Sequence, residues 1–278
     1  MKYRLLAVML AFIVASCSSD GDKDYRQENE AEIKAYIADN NLNAERSTSG
    51  LYYVIEEQGT GIEINGYSNV TVSYKGHFTN GVEFDNTGDD FTSFNLQEVL
   101  PGFVEGLTYI NEGGSIILLV PAHLGYGSND ANGIPGGSVL VFEVTVYSPE
   151  MIAEKNDEDI AAYIEAEGLD ATKTESGLYY VVNQEGKGAQ PTADSDVRVA
   201  YTGYFLDGTK FDESGASGLE FNLSQVIEGW KEGITYFKEG GKGKIIVPAH
   251  LAYGTYNYDR IPGGSVLVFD IELIEVKE

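Results

Sequence analysis

A chain of 278 residues with 18 Lys and Arg against 44 Asp and Glu carries a formal charge of −26, which repels nucleic acid and excludes it as a default partner. Hydrophobic residues make up 42% and aromatics 12%, with 19 Tyr, so the acidity belongs to the surface of folded domains, roughly one to three of them, and not to a disordered tail. One cysteine in the whole chain excludes an intrachain disulfide, an Fe–S cluster and a Cys-based zinc site.

At the amino terminus Lys2 and Arg4 flank the almost unbroken apolar run Leu5 to Ala15, which has the build of an export signal and is too short for a comfortable membrane span. The run ends Val14-Ala15-Ser16-Cys17, which resembles the bacterial lipobox. That resemblance implies a signal peptide of residues 1–16 and lipid attachment at Cys17; the plainer readings are a buried free thiol or an ordinary signal with a chance Cys. Loss of the signal removes two positive charges and leaves −28. Residues 17–27 hold a small, polar, acidic stretch, Ser18 to Asp24, in which nothing can pack, so they are expected to form a flexible acidic tether. Ser18 after the Cys resembles lipoproteins routed to an outer membrane, and the acids that follow resemble export tags of surface-displayed ones. The expected location is the cell envelope, lipid-anchored at the outer membrane on its periplasmic face or at the cell surface, held stably by more than one acyl chain.

Past the tether the chain repeats itself. Leu51-Tyr52-Tyr53-Val54 recurs as Leu178-Tyr179-Tyr180-Val181, Pro121-Ala122-His123-Leu124 as Pro248-Ala249-His250-Leu251, and Ile134 through Phe142 unchanged as Ile261 through Phe269, all at an offset of 127. The same offset links Ile33 with Ile160 and Gly61 with Gly188, so the copies align without a gap. Such a unit is too long for a solenoid repeat and near the usual size of an independent fold. The expected domains are 28–150 and 151–278.

Each copy opens on a short helical pattern. Ile33, Tyr36 and Ile37, and again Ile160, Tyr163 and Ile164, fall at i, i+3 and i+4 and share one face. Asn156 and Asp157 are expected to cap the second helix. The stripe either docks on its own domain or makes a dimer contact. Alternation of Leu51, Tyr53 and Ile55, then of Val70, Val72 and Tyr74, predicts strands, and Asn80-Gly81 and Asp207-Gly208 predict tight turns between β runs. A short helix is predicted from Pro101-Gly102 or Glu228-Gly229 to before Gly113-Gly114 or Gly240-Gly241. A strand then closes at Pro-Ala-His-Leu, and Val139, Val141 and Phe142 to Val146 give a last β-rich run. The fold class is α+β: two copies of an antiparallel β-sheet wrapped on one short helix, each preceded by a short amphipathic helix.

Hydrolytic and redox chemistry find little material. The histidines are His77, His123 and His250, and the repeated pair is expected to be a turn or edge histidine. No HExxH, GxSxG, P-loop or dinucleotide fingerprint occurs. Gly59-Thr60-Gly61 and Gly240-Gly241 read as turn glycines, and neither a metal nor an organic cofactor is expected.

What recurs is an aromatic and apolar set. In the second copy it runs through Tyr201, Phe211-Asp212, Phe221, Val226-Ile227-Glu228-Gly229-Trp230, Ala252-Tyr253-Gly254, Ile261-Pro262 and Phe269. In order, spacing and composition this series closely resembles the FKBP-type peptidyl-prolyl cis/trans isomerases, over about residues 47–148 and 174–278. The resemblance implies that Trp230 floors a pocket for a substrate proline, with Phe211, Phe221, Val226, Ile227 and Phe269 as walls. It implies that Tyr253 donates its hydroxyl to the substrate carbonyl and the Ile227 backbone N–H donates a second bond, that Tyr201 and Asp212 form a polar corner, and that Ile261 lies on a loop closing over the pocket. The partners implied are proline-containing polypeptides and the macrolide that plugs this pocket in the family. Leu219 departs from the pattern, which has an aromatic there.

The first copy matches at Tyr74, Phe84, Asp85, Phe94, Val99, Tyr126, Ile134 and Phe142, but Leu100 replaces the Ile, Phe103 stands for the Trp, Thr92 stands opposite Leu219 and Gly125 replaces Ala252. Either it keeps a working pocket or it keeps the aromatics as core; the second copy is expected to be the stronger isomerase. The leading reading is an isomerase assisting the folding of exported proteins. Its competitors are a proline-peptide-binding module or chaperone with little turnover, and a glycan-binding or adhesive lipoprotein.

Overall fold

The computed structural model describes residues 23–88 and 90–277. Contacts divide the chain into two compact units that part between Ser148 and Pro149. The first consists of helix α1 (Arg26–Asp39), strands β1 (Glu45–Arg46), β2 (Tyr52–Glu57), β3 (Asn69–Phe78), β4 (Glu83–Asn86) and β5 (Thr92–Asn95), helix α2 (Pro101–Leu107), and strands β6 (Ser115–Val120) and β7 (Leu140–Val146). The second repeats the sequence of elements as α3 (Pro149–Glu167), β8 (Thr172–Lys173), β9 (Tyr179–Gln184), β10 (Asp196–Tyr204), β11 (Lys210–Glu213), β12 (Leu219–Asn222), α4 (Glu228–Gly233), β13 (Lys242–Val247) and β14 (Leu267–Lys277). Each unit holds one antiparallel sheet, in the order β1-β2-β6-β7-β3-β4 with β5 also on β3, and β11-β10-β14-β13-β9-β8 with β12 also on β10.

Strand β6 shows why the sheet has a layer on each face. Its run Ile116-Ile117-Leu118-Leu119-Val120 is apolar throughout because successive side chains point to opposite sides and both sides are covered. Leu118 joins Phe103 of α2 and Phe142 of β7 in the main core, while Leu119 joins Ile33 of α1, Tyr52 and Val141 on the other side. The second unit is built alike, with Ile160 of α3 packed on Ile246, Val266 and Val268. The helical stripe of each copy therefore docks on its own sheet. Ile33 and Ile160 are essentially inaccessible, and each such burial contributes about 1.5–3 kcal/mol.

One expectation is corrected. Asn156 and Asp157 do not cap α3, which starts at Pro149, where a fixed φ and a missing N–H suit a first helical turn. Asn156 lies inside the helix, 2% exposed, with its side chain bonded away from its own backbone. The helices are also longer than expected, 14 and 19 residues.

Candidate proline-binding site

In the second unit the site forms where β10, β11, β12, β14 and α4 converge. The hairpin between β10 and β11 turns at Asp207-Gly208: the Phe205 N–H donates to the Thr209 carbonyl at 2.9 Å, Asp207 Oδ1 accepts from the Thr209 N–H at 2.8 Å, and Gly208 takes φ +81°. That pairing sets Gly203 opposite Asp212 and lays the Phe211 ring across the glycine. A Cβ at Gly203 would meet Phe211 Cζ at 2.7 Å and Phe269 Cε1 at 3.1 Å, so the missing side chain makes room for one wall of the cup. Gly76 does the same for Phe84 in the first unit, at 2.6 Å.

Trp230 sits one turn into α4, 5% exposed. Its ring meets Tyr201 at 4.9 Å and 85°, Phe269 at 5.1 Å and 89°, and Phe221 at 5.4 Å and 62°. Phe211 lies edge-on to Phe269 at 5.6 Å, and Phe205, which the sequence reading did not single out, extends that wall at 5.1 Å from Phe211. Edge-to-face pairs each add about 0.5–1.5 kcal/mol beyond burial, so the rings hold one another in place. Val226, Ile227 and Ile261 pack against the same cluster. The Ile227 carbonyl accepts from the Trp230 and Lys231 N–H groups at 2.9 and 3.1 Å, whereas its own N–H has no partner among the described residues.

One polar corner interrupts the apolar lining. The Tyr201 hydroxyl donates to Asp212 Oδ2 at 2.6 Å. Burial first, then the hydrogen bond and charge of Asp212, push the Tyr201 hydroxyl well above its ordinary titration range, so it stays a neutral donor. Tyr253 stands on the loop between β13 and β14, stacked on Tyr258 at 4.5 Å and 13°, 37% exposed, its hydroxyl without a hydrogen-bond partner among the described residues. Burial, then Tyr258 and Asp212, raise its pKa as well. Of the residues expected in this copy, Tyr201, Phe211, Asp212, Phe221, Trp230 and Phe269 form one connected set, while Tyr253 stands apart from the core cluster within reach of the Asp212 charge. Leu219 is 49% exposed at the head of β12 and lines no part of that set.

The first unit assembles the corresponding residues differently. The Tyr74 hydroxyl donates to Asp85 at 2.5 Å, and Phe103 meets Phe142, Phe94 and Tyr74 at 5.4, 5.7 and 6.2 Å. Burial and Asp85 raise the Tyr74 pKa, and burial then Asp85 that of Tyr126. Phe84, Ile134, Val99 and Leu100 join the same cluster. But Phe103 is fully buried, Val99 and Leu100 are buried where Val226 and Ile227 are half-exposed, and Tyr126 is half-buried with Ala131 where the second unit has the stacking Tyr258. This set is closed over itself more than its counterpart.

His123 and His250 are turn residues: their Nε2 atoms bond the Ser49 and Ser176 carbonyls at 2.9 and 2.8 Å. Among the described residues no cluster of three or more His, Cys, Asp or Glu is placed to hold a metal ion, and no helix is long and apolar enough to cross a membrane. Cys17, with residues 1–22, lies outside the described residues.

The second unit thus brings together a set of aromatic rings with two hydrogen-bond donors, the Ile227 N–H and the Tyr253 hydroxyl, that have no partner among the described residues. The family described as FKBP-type peptidyl-prolyl cis-trans isomerase matches residues 61–147 and 187–274, one stretch in each unit, and the chain belongs to that family. The FKBP-type peptidyl-prolyl cis-trans isomerase FkpA of Aeromonas hydrophila is 45% identical over 127 residues, 45% of this chain and 47% of that protein. FkpA of Escherichia coli strain K12 is 47% identical over 108 residues, 38% of this chain and 40% of that one. The chain thus spans less than half the length of these curated relatives. The crystal structure of FkpA from Escherichia coli aligns with 38% identity and a TM-score of 0.41, over 44% of this chain and 60% of that one.

Proposed function

We propose that the chain catalyses cis/trans isomerisation of X–Pro bonds in polypeptides, chiefly at the cup floored by Trp230. The observation that carries this is the connected ring set of the second unit, with the Ile227 N–H and the Tyr253 hydroxyl as donors that have no partner among the described residues. An X–Pro bond interconverts slowly because resonance must be broken, against a barrier of roughly 18–20 kcal/mol. A dry aromatic cup strips water from the imide carbonyl. The planar ground state, which carries the charge separation, loses more from this than the twisted state does.

Phe211, Phe221, Val226, Ile227, Trp230 and Phe269 hold the prolyl ring; Tyr253 bonds a substrate backbone carbonyl beside the imide and the Ile227 N–H makes a second backbone bond; Tyr201, a neutral donor fixed on Asp212, keeps the corner ordered; Ile261 seats the covering loop. Binding the twisted form better than the planar one is then the catalysis. Lowering the barrier by about 5 kcal/mol accelerates the step several thousandfold. The corresponding set in the first unit, Tyr74, Phe84, Asp85, Phe94, Val99, Leu100, Phe103, Tyr126, Ile134 and Phe142, is the weaker site because its walls are buried against one another.

The lipobox-like Val14 to Cys17 supports a mature chain anchored through Cys17, with a tether that ends where α1 begins at Arg26 and two domains that part between Ser148 and Pro149, and with exported polypeptides as clients. The test is whether the full chain speeds the cis-to-trans relaxation of an Ala-X-Pro-Phe peptide. Relaxation at the uncatalysed rate would refute the reading.

A further inference from the structure

Each unit ties its first helix to the loop over the cup through one buried asparagine. Asn156, 2% exposed inside α3, accepts from the Ala249 N–H at 2.8 Å and donates from Nδ2 to the Gly264 carbonyl at 2.9 Å. Ala249 and Gly264 are the two feet of the loop that carries Tyr253 and Ile261. The feet are also joined to each other: the Gly254 N–H donates to the Ala249 carbonyl and the Gly264 N–H to the Gly254 carbonyl, both at 2.8 Å. Higher in the loop, Tyr258 and Ile261 exchange backbone bonds at 2.9 Å, and Asn257 Oδ1 accepts from the Gly263 N–H at 2.9 Å.

The first unit repeats the tie with Asn29, 1% exposed, which accepts from the Ala122 N–H and donates to the Gly137 carbonyl, both at 2.8 Å. Asparagine is a poor residue for a helix interior, so its presence at both places needs a reason beyond helix formation.

Tyr253, Tyr256 and Tyr258 are exposed, and Ile261 seats in the core. Beside the asparagine lies a cleft of about 240 Å³ lined by Ile152 and Ala153 of α3 and by His250, Tyr253 and Tyr256. A buried amide satisfied at both ends is costly to disrupt, since its partners would lose their bonds away from water.

We propose that Asn156, and Asn29 in the first unit, are positioning residues for the isomerase: they fix the loop so that Tyr253 (or Tyr126) and Ile261 (or Ile134) stand ready over the cup. The helix that precedes each domain is thereby part of its site. This rests on the isomerase reading above, but half of its test does not.

The experiment uses the full chain carrying Asn29→Ala and Asn156→Ala together, read by amide hydrogen exchange peptide by peptide and by peptide isomerisation kinetics. Protection should fall about tenfold or more in 253–264 and 126–137 while β6, β7, β13 and β14 keep theirs. KM should rise about fivefold with kcat nearly kept, as expected when a bound geometry is no longer prepared in advance. Asn29→Asp with Asn156→Asp, which keeps an acceptor without opening a cavity, should loosen the same loops. Unchanged loop protection, or loss of kcat in step with the unfolded fraction at constant KM, would overturn the proposal. A wild-type chain without turnover would sink the isomerase reading alone, leaving the exchange measurement to decide the tie.

Discussion

Replacing Tyr253 with Phe removes one oxygen and leaves the ring. The stack on Tyr258 at 4.5 Å survives, and because the hydroxyl has no hydrogen-bond partner among the described residues, its loss strands no acceptor in the free protein. Folding stability should therefore be unchanged. In the bound state one neutral hydrogen bond to the substrate carbonyl disappears, worth about 0.5–1.5 kcal/mol. At 1.36 kcal/mol per factor of ten, kcat/KM should fall about two- to twelvefold.

The assay is protease-coupled relaxation of a proline peptide at low temperature, where the uncatalysed step is slowest, with thermal unfolding measured alongside. Tyr126→Phe in the first unit is the companion variant. If the open cup carries most of the turnover, Tyr253→Phe shows the loss and Tyr126→Phe alone changes little. Equal losses would overturn the ranking of the two units. A double variant with undiminished kcat/KM would refute the role given to the hydroxyls, and a loss above about a hundredfold would mean that they do more than donate one bond.

The pH profile of kcat/KM should be flat from about pH 6 to 9, because burial and Asp212 raise the Tyr201 pKa, burial and its neighbours raise that of Tyr253, and a group titrating above its ordinary value of about 10 stays protonated throughout that window. A bell-shaped profile would reveal an acid or base that this mechanism lacks. Cys17→Ser should move the expressed protein from the membrane fraction to the soluble one while leaving isomerase turnover unchanged; retention on the membrane would remove Cys17 as the anchor.

Much of this molecule is written in local patterns. The offset of 127 and the identical Ile-Pro-Gly-Gly-Ser-Val-Leu-Val-Phe segments gave away the two units, and alternation at Val70, Val72 and Tyr74 marked β3. Asp207-Gly208 marked its hairpin because a tight turn needs positive φ, which Gly208 adopts. The rings of the cup were nameable only through resemblance: nothing in spacing tells that Phe211 will lie on Gly203 or that Trp230 will meet Phe269 at 5.1 Å, since those are contacts between distant strands.

Asn156 misled for a related reason. Beside Asp157 it has the composition of a cap, and only the fold reveals that its partners are 93 and 108 residues away. The replacements of Ile227 by Leu100 and Trp230 by Phe103 hinted that the two ring sets differ, but that Val99 is buried where Val226 is half-exposed is seen only in the fold.

Titration of the full chain with the macrolide that plugs the corresponding pocket in the FKBP family, while following relaxation of an Ala-X-Pro-Phe peptide, tests the central claim most directly. Catalysed relaxation should be abolished as the inhibitor reaches the concentration of functioning cups, leaving the uncatalysed rate. Relaxation that is never faster than uncatalysed, or a catalysed rate that saturating macrolide leaves untouched, would contradict an isomerase working through the aromatic cup around Trp230.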